Sequence, residues 1–357
     1  IVGAYLDDTT GSDSGRAYIF DATTGALSYT IENPNVYGTT SGDNFGRTVA
    51  ISSNKLVIGA PLEDSALISS VGLVYVYSLE SNVEFGSYVQ DYVPSYEISF
   101  VQNYEGDGSY IANEYVPENF DLSVNKIKTI NNPSASTSNG FSIGMAMDQG
   151  KAVIGANSIN EVYVYDTSNG DLLRTIQQTV SSNYFGGFNA IDLDGDYAII
   201  GDYGYGTFSG IAYIYDITNG DLIHTLENPN FFGTVDNDRF GQSVAIKGNY
   251  AAVGAYFEDD NSGTESGVVY IFDVTTGTLL RTIPNPNPNS SSTGDYFGAS
   301  LAISGDKIVI SAYLEDIDDS NSGIVYIFDL TTGNLLHTLE NPSPDSSDYF
   351  GYSVAVS

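Results

Sequence analysis

The stretch FGASLAISGDKIVISAYLEDIDDSNSGIVYIFDLTTGNLLHTLENP, Phe297–Pro342, decides the fold. The stretch before it, FGQSVAIKGNYAAVGAYFEDDNSGTESGVVYIFDVTTGTLLRTIPNP from Phe240, repeats it almost position by position. Dense self-similarity marks a repeat architecture. Each unit holds four short apolar runs, each read as a strand. In the later unit these are Ser300–Ile303, Lys307–Ala312, Ile324–Phe328 and Leu335–Glu340. A tight turn, Ser304-Gly305-Asp306, joins the first two, and a longer acidic loop joins the second to the third.

Phe-Gly openings recur at Phe45, Phe185, Phe240, Phe297 and Phe350, with Phe141-Ser142 a variant. Their usual spacing is about fifty residues, the length of one four-stranded propeller blade. The gap between Phe45 and Phe141 is about twice as long. Four runs within it, Tyr96–Gln102, Ser109–Val116, Phe120–Val124 and Lys126–Asn131, can be read as a degenerate blade. The pattern therefore predicts an all-β, closed propeller of four-stranded antiparallel blades in one domain, residues 1–357. Seven blades, counting a degenerate one at about 80–133, is the leading count; six, with that region as an insertion, is the alternative. The chain opens on a second-strand pattern, Ile1–Asp8, and ends on a first-strand pattern, Phe350–Ser357. These are expected to complete one shared blade and so remove the exposed sheet edges.

Small residues such as Gly59-Ala60 and Gly254-Ala255 fit crowded inner strands, and the repeated phenylalanine is expected to wedge between neighbouring blades. After the third strand comes D-x-[TS]-[TN]-G, beginning at Asp21, Asp166, Asp216, Asp273 and Asp329. Asp accepts a backbone N–H there and Gly supplies positive φ, so these aspartates are read as turn residues.

The units resemble FG-GAP repeats, found in the propeller of integrin α subunits and in many secreted or surface proteins of bacteria and marine phages. The resemblance implies a seven-bladed ring used for extracellular recognition or as a spacer, on a cell or virion surface. It names no ligand, since one fold hosts many functions. The family's calcium loop between strands one and two is mostly missing: that turn is short here, and only Asp192-Leu193-Asp194-Gly195-Asp196 resembles its acidic spacing.

Composition narrows the partners. The chain has 357 residues, 41% of them hydrophobic, with 38 Gly, 28 Tyr and no Cys or Trp. No disulfide, thiolate nucleophile or cysteine-bound metal is available. The net charge of −34, from 45 acids and 11 bases, disfavours nucleic acid and anionic membranes. No apolar run approaches the roughly 18 residues of a membrane span. The expected partners are a protein or glycan on a surface, or further copies of the chain.

Acids gather in the loops between strands two and three. Asp7, Asp8 and Asp13, Glu258, Asp259 and Asp260, and Glu315, Asp316, Asp318 and Asp319 are the candidate ligands for Ca²⁺, which takes six to eight oxygens. The competing reading is a solvated acidic rim. The tyrosines of the irregular region, Tyr88, Tyr92, Tyr96, Tyr104 and Tyr110, are the candidate ligand-binding residues. The competing reading is a drifted blade packed on its own aromatics. No catalytic residue is expected. His224 and His337 occupy a fourth-strand position filled by Arg174 and Arg281 in sister repeats, which is not the pattern of a general base. The sequence thus predicts a non-enzymatic adhesion module binding through its long-loop face, or alternatively a structural subunit of an appendage, filament or fibre.

Overall fold

The computed structural model describes residues 1–8, 11–20, 26–34, 41–64, 70–83, 101–105, 109–112, 120–134, 140–179, 182–230, 236–259, 265–287, 294–315, 322–341 and 349–356. Sheet one holds β1 (Val2–Ala4), β2 (Arg16–Phe20) and β3 (Leu27–Glu32). Sheet two begins with β4 (Thr48–Ser52), β5 (Lys55–Ala60) and β6 (Leu73–Val83). A separate two-stranded hairpin follows, β7 (Val101–Glu105) with β8 (Ser109–Ala112), and β9 (Phe120–Asn131) then completes sheet two. Sheet three is β10 (Phe141–Asp148), β11 (Lys151–Ala156), β12 (Glu161–Asp166) and β13 (Leu172–Gln177). Sheet four is β14 (Ile191–Asp194), β15 (Tyr197–Asp202), β16 (Ile211–Asp216) and β17 (Asp221–Glu227). Sheet five is β18 (Ser243–Lys247), β19 (Tyr250–Ala255), β20 (Val268–Asp273) and β21 (Leu279–Pro284). Sheet six is β22 (Phe297–Ser304), β23 (Lys307–Ala312), β24 (Ile324–Asp329) and β25 (Leu335–Glu340).

Each sheet is antiparallel, and its neighbours in space are neighbours in sequence except in sheet two, where β9 follows the β7–β8 hairpin before pairing with β6. The core is a series of five apolar layers, each between two consecutive sheets. Phe45, Phe141, Phe185, Phe240 and Phe297 are all fully buried in these layers, so the repeated phenylalanine does wedge between sheets. The glycine after it permits the close approach. Gly298 has φ +91°, and a Cβ there would stand 2.8 Å from the Val269 side chain.

Side chains also tie sheet to sheet. Arg174 Nε donates to Thr218 O at 2.9 Å, His224 Nε2 to Thr275 O at 3.0 Å, and Arg281 Nε to Leu330 O at 3.0 Å. Each link runs from a fourth strand to the D-x-[TS]-[TN]-G turn of the next sheet, or to its second residue. His224 and arginine are therefore interchangeable because both reach a backbone carbonyl across the junction. In the turns themselves Asp166, Asp216, Asp273 and Asp329 accept backbone N–H groups, those of Ser168, Thr218, Thr275 and Thr332 among them. The fifth turn, from Asp21, lies outside the described residues.

The expected closed propeller is corrected. Among the described residues the strands form five four-stranded sheets, one of three and the β7–β8 hairpin, and no hydrogen-bonded ladder closes them into a ring. β1 pairs only with β2, and no strand is formed by residues 350–356, so the chain's two ends do not complete a shared blade. Val354 N donates instead to the Ser300 hydroxyl at 3.2 Å. No sixth apolar layer joins sheet six to sheet one among the described residues. Phe350 is half-buried where its five counterparts are sealed. Leu339 of β25 is 42% exposed, while its register equivalents Ile31, Ile130, Ile176, Leu226 and Ile283 are buried.

The seventh blade is corrected as well. Phe120–Asn131 is one continuous strand that pairs with β6 from Leu73↔Asn131 to Val83↔Phe120, with a register shift between Val76 and Tyr77. Long-range pairing along the extended β6 takes up both runs that suggested separate strands.

Candidate functional site

Every sheet brings a carboxylate to a tyrosine, on β2 in sheet one and on the third strand of the others, and does so from more than one sequence position. After strand two the chain turns back at once: the backbone N–H groups of Asp7, Glu63, Glu258 and Glu315 donate to Ala4, Ala60, Ala255 and Ala312. That turn aims the carboxylates inward. Tyr18, Tyr75, Tyr270 and Tyr326 donate their hydroxyls to them, at 2.9 Å for Asp7, 2.6 Å for Glu258 and 2.7 Å for Glu315. In sheet three the partner of Tyr163 is Glu161, two residues before it on the same strand. In sheet four it is Asp202, at the end of strand two, which acts electrostatically on Tyr213. Glu63, Glu258, Glu315 and Asp202 are fully buried. Burial first, then the adjoining Glu315, pushes the Tyr326 hydroxyl far up, and burial pushes the Asp202 carboxyl up. Tyr163, Tyr213 and Tyr326, all shifted upward chiefly by burial, stay protonated beside their carboxylates.

The candidate calcium residues divide accordingly. Glu258 and Glu315 face tyrosines inside the molecule. Asp8 and Asp259 close their loops by accepting the N–H groups of Asp13 and Glu265, both at 2.8 Å, as Asp64 does for Ser70. Asp13 is the far end of such a closure, with φ +51°. Asp260, Asp316, Asp318 and Asp319 lie outside the described residues. Among the described residues no three His, Asp or Glu side chains gather as a metal would need. Of the candidate tyrosines, Tyr88, Tyr92 and Tyr96 lie outside the described residues. Tyr104 and Tyr110 stand opposite each other in the β7–β8 hairpin.

A second pair recurs at three of the places where the last strand of a sheet leads to the next. Asn33, Asn228 and Asn285 donate to Asp43, Asp238 and Asp295 at 2.8–2.9 Å. Burial, then repulsion from Asp64, raises the Asp43 carboxyl to about 6; the Asn33 bond only partly offsets it. Burial, with Asp259 and Asp236 adding repulsion, raises Asp238 to about 7.

A further feature is an arc of aromatic rings that reaches the surface at Phe208, Tyr349 and Tyr352. It is built from residues that begin the loops after strand two or end the loops before strand one. Tyr184, Tyr203 and Phe208 form one cluster, with centroids 4.4–6.4 Å apart. Tyr256, Phe257 and Tyr296 form the next at 4.7–5.1 Å, and Tyr296 leads to Tyr313 at 5.8 Å. Tyr313 in turn meets Tyr349 at 6.0 Å and Tyr352 at 5.1 Å. Arg239 links the clusters. Its guanidinium lies 3.9 Å from the Phe257 centroid, its NH1 donates to the Tyr256 hydroxyl at 2.7 Å, and its charge acts on Tyr203. Tyr349 and Tyr352 are 40% and 56% exposed. Burial, then neighbouring tyrosines, pushes Tyr203 up to about 12, and burial moves Tyr256, Tyr296 and Tyr313 in the same direction. Every hydroxyl of the arc for which a shift is resolved is therefore a neutral donor at physiological pH.

The arc was not singled out from the sequence. One signal did exist: aligning the repeats puts Tyr5, Tyr203, Tyr256 and Tyr313 at one position after strand two, and Tyr184, Tyr296 and Tyr349 at one position before the repeated phenylalanine. The arc borders a cavity of about 650 Å³ lined by first-strand residues of sheets two to six, with Tyr5, Arg47 and Tyr352 among its walls.

Stacked antiparallel sheets, self-closed acidic loops and a surface of aromatic rings define an all-β repeat protein. The FG-GAP repeat model matches residues 38–77, 234–272 and 288–328. Those three stretches are FG-GAP repeats, which is the family this chain resembles. No curated protein matches the sequence closely. Among the described residues no helix is long and apolar enough to cross a membrane.

Proposed function

We propose that this protein is an extracellular recognition module, on a cell or virion surface, that engages a glycan or protein through its long-loop face. The aromatic arc carries this reading. Exposed rings on loops held by a rigid sheet scaffold are the common form of a binding surface, and Tyr and Arg dominate such contacts. The test compares the wild type with a Tyr349→Ala/Tyr352→Ala variant on arrays of immobilised glycans and proteins. Binding by the wild type that the variant loses supports the reading; binding untouched by the variant, or none at all, overturns it.

Calcium enters the proposal only at the loop tips. Glu258 and Glu315 are turned inward, so the proposal leaves the oxygens to the other candidate aspartates. A melting midpoint that falls on chelation supports a bound ion, and an unchanged midpoint excludes one.

The structural-subunit reading draws on a different observation. Fourth strands are sheet edges, and pairs such as Leu172-Leu173, Leu279-Leu280 and Leu335-Leu336 are exposed on them. Light scattering across a concentration series separates the two: growth into ordered oligomers favours the subunit, and a constant monomer mass favours the recognition module.

A further inference from the structure

We infer that the aromatic arc binds a neutral oligosaccharide, stacking pyranose rings on its exposed rings Tyr349 and Tyr352, with the half-buried Tyr296 and Tyr313 behind them. This rests on the recognition reading above and names its ligand class.

Three observations lead there. The first is shape. Tyr296, Tyr313, Tyr349 and Tyr352 form a continuous chain of ring contacts rather than a single pocket, with centroids 5.1–6.0 Å apart. The rings meet edge to face, with planes 64–85° apart, so a sugar chain can lay units on the exposed faces of Tyr349 and Tyr352 while meeting the edges of their half-buried neighbours. The apolar C–H face of a sugar lies against an aromatic ring, while a tyrosine also offers a polar edge.

The second is hydrogen-bonding character. The hydroxyls of Tyr296 and Tyr313 remain donors, as their upward shifts require. Glu265 acts electrostatically on Tyr256 and Tyr296, so a carboxylate stands beside the rings as an acceptor for sugar hydroxyls.

The third is charge. The net charge is −34, and the arc's cation, Arg239, already stacks on Phe257 and donates to Tyr256. Carboxylates at the rim and this overall field repel uronate and sulfated chains. A protein partner would have to bring a basic surface against the same rings. The neutral glycan needs no such counter-charge.

The experiment titrates the full chain by calorimetry with neutral hexasaccharides of glucose, xylose and mannose, and with an oligogalacturonate of equal length. Alongside it are tested Tyr352→Ala, the Tyr349→Ala/Tyr352→Ala pair, and Tyr352→Phe. A neutral hexasaccharide is expected to bind, and the alanine pair to weaken it by roughly tenfold or more with an unchanged melting midpoint. Tyr352→Phe keeps the stacking face and is expected to retain most of the affinity. Because Tyr349 and Tyr352 are exposed, the alanine variants fold, so a loss of affinity reports the surface. No binding of any neutral hexasaccharide, tighter binding of the oligogalacturonate, or full affinity in the alanine pair overturns the inference. The same variants on the protein array separate the two levels. Protein binding lost with the rings, without glycan binding, overturns the glycan and keeps the recognition module; silence on both arrays overturns both.

Discussion

The junction between sheets five and six and the outer side of sheet six use the same residues to different effect. At the junction, Phe297 and Ile283 are sealed between sheets. On the outer side, Phe350 is half-buried and Leu339 is 42% exposed. The sequence motif is the same; the difference is whether a second sheet covers it. Burial here belongs to pairs of sheets, so a repeat's contribution to stability depends on its neighbours.

The largest expected effect tests this directly. Phe240→Ala or Phe297→Ala empties a fully buried wedge and is expected to cost about 3–5 kcal/mol. Phe350→Ala removes a partly wet ring and is expected to cost about 1 kcal/mol. Denaturant midpoints for the three variants decide it, and equal losses would break the comparison.

Next comes the backbone. Gly267 has φ +88°, and a Cβ there would stand 2.1 Å from Phe297 O. Gly267→Ala therefore meets both strain and a clash across the junction, and should cost about 2–3 kcal/mol. Gly248, with φ +56° and open space around it, should lose only about 1 kcal/mol as alanine. Matching losses would place the cost in φ alone.

Much of this was legible in the sequence. The second and fourth strands of the unit from Phe297 fall where the apolar runs put them, Lys307–Ala312 and Leu335–Glu340. The burial of the Phe-Gly phenylalanines was legible too, since small and aromatic residues at fixed spacing have few other uses. Closure was not, because it depends on pairing between segments whose local patterns look like good strands with or without a partner. β9 was misread for the same reason: nothing local says that Phe120–Asn131 pairs as one strand with Leu73–Val83. The tyrosine carboxylates escaped notice because they come from unlike positions, Asp7, Glu161, Asp202 and Glu258 among them. The arc was hidden because each repeat contributes only one or two of its rings.

The tyrosine–carboxylate pairs sharpen the comparison at intermediate size. Tyr270→Phe leaves the fully buried Glu258 without its hydroxyl donor, and a loss of about 1–3 kcal/mol is expected at neutral pH. Tyr18→Phe faces the partly exposed Asp7, which Arg16 also approaches at 3.7 Å, and is expected to cost under about 1 kcal/mol. A chemical-denaturation pair measured in one buffer checks the ranking.

A different kind of effect is expected at the Asn–Asp pairs, where stability depends on pH. Asp238 is raised to about 7 in the folded protein, chiefly by burial, while an unfolded aspartate titrates near its ordinary value of about 4. Between those values the folded state binds the proton and the unfolded state does not, so Asp238 favours folding increasingly as pH falls from about 7 towards 4. Above about 7 it is ionised in both states, and that contribution is gone. Asp238→Asn keeps an oxygen for Asn228 and carries no charge at any pH. It is expected to raise the midpoint at pH 8 and to converge on the wild type near pH 4. Asp43, raised only to about 6, should show the same trend in a narrower and more acidic window. A constant difference between Asp238→Asn and the wild type from pH 4 to pH 8 would remove ionisation as the cause and leave only packing.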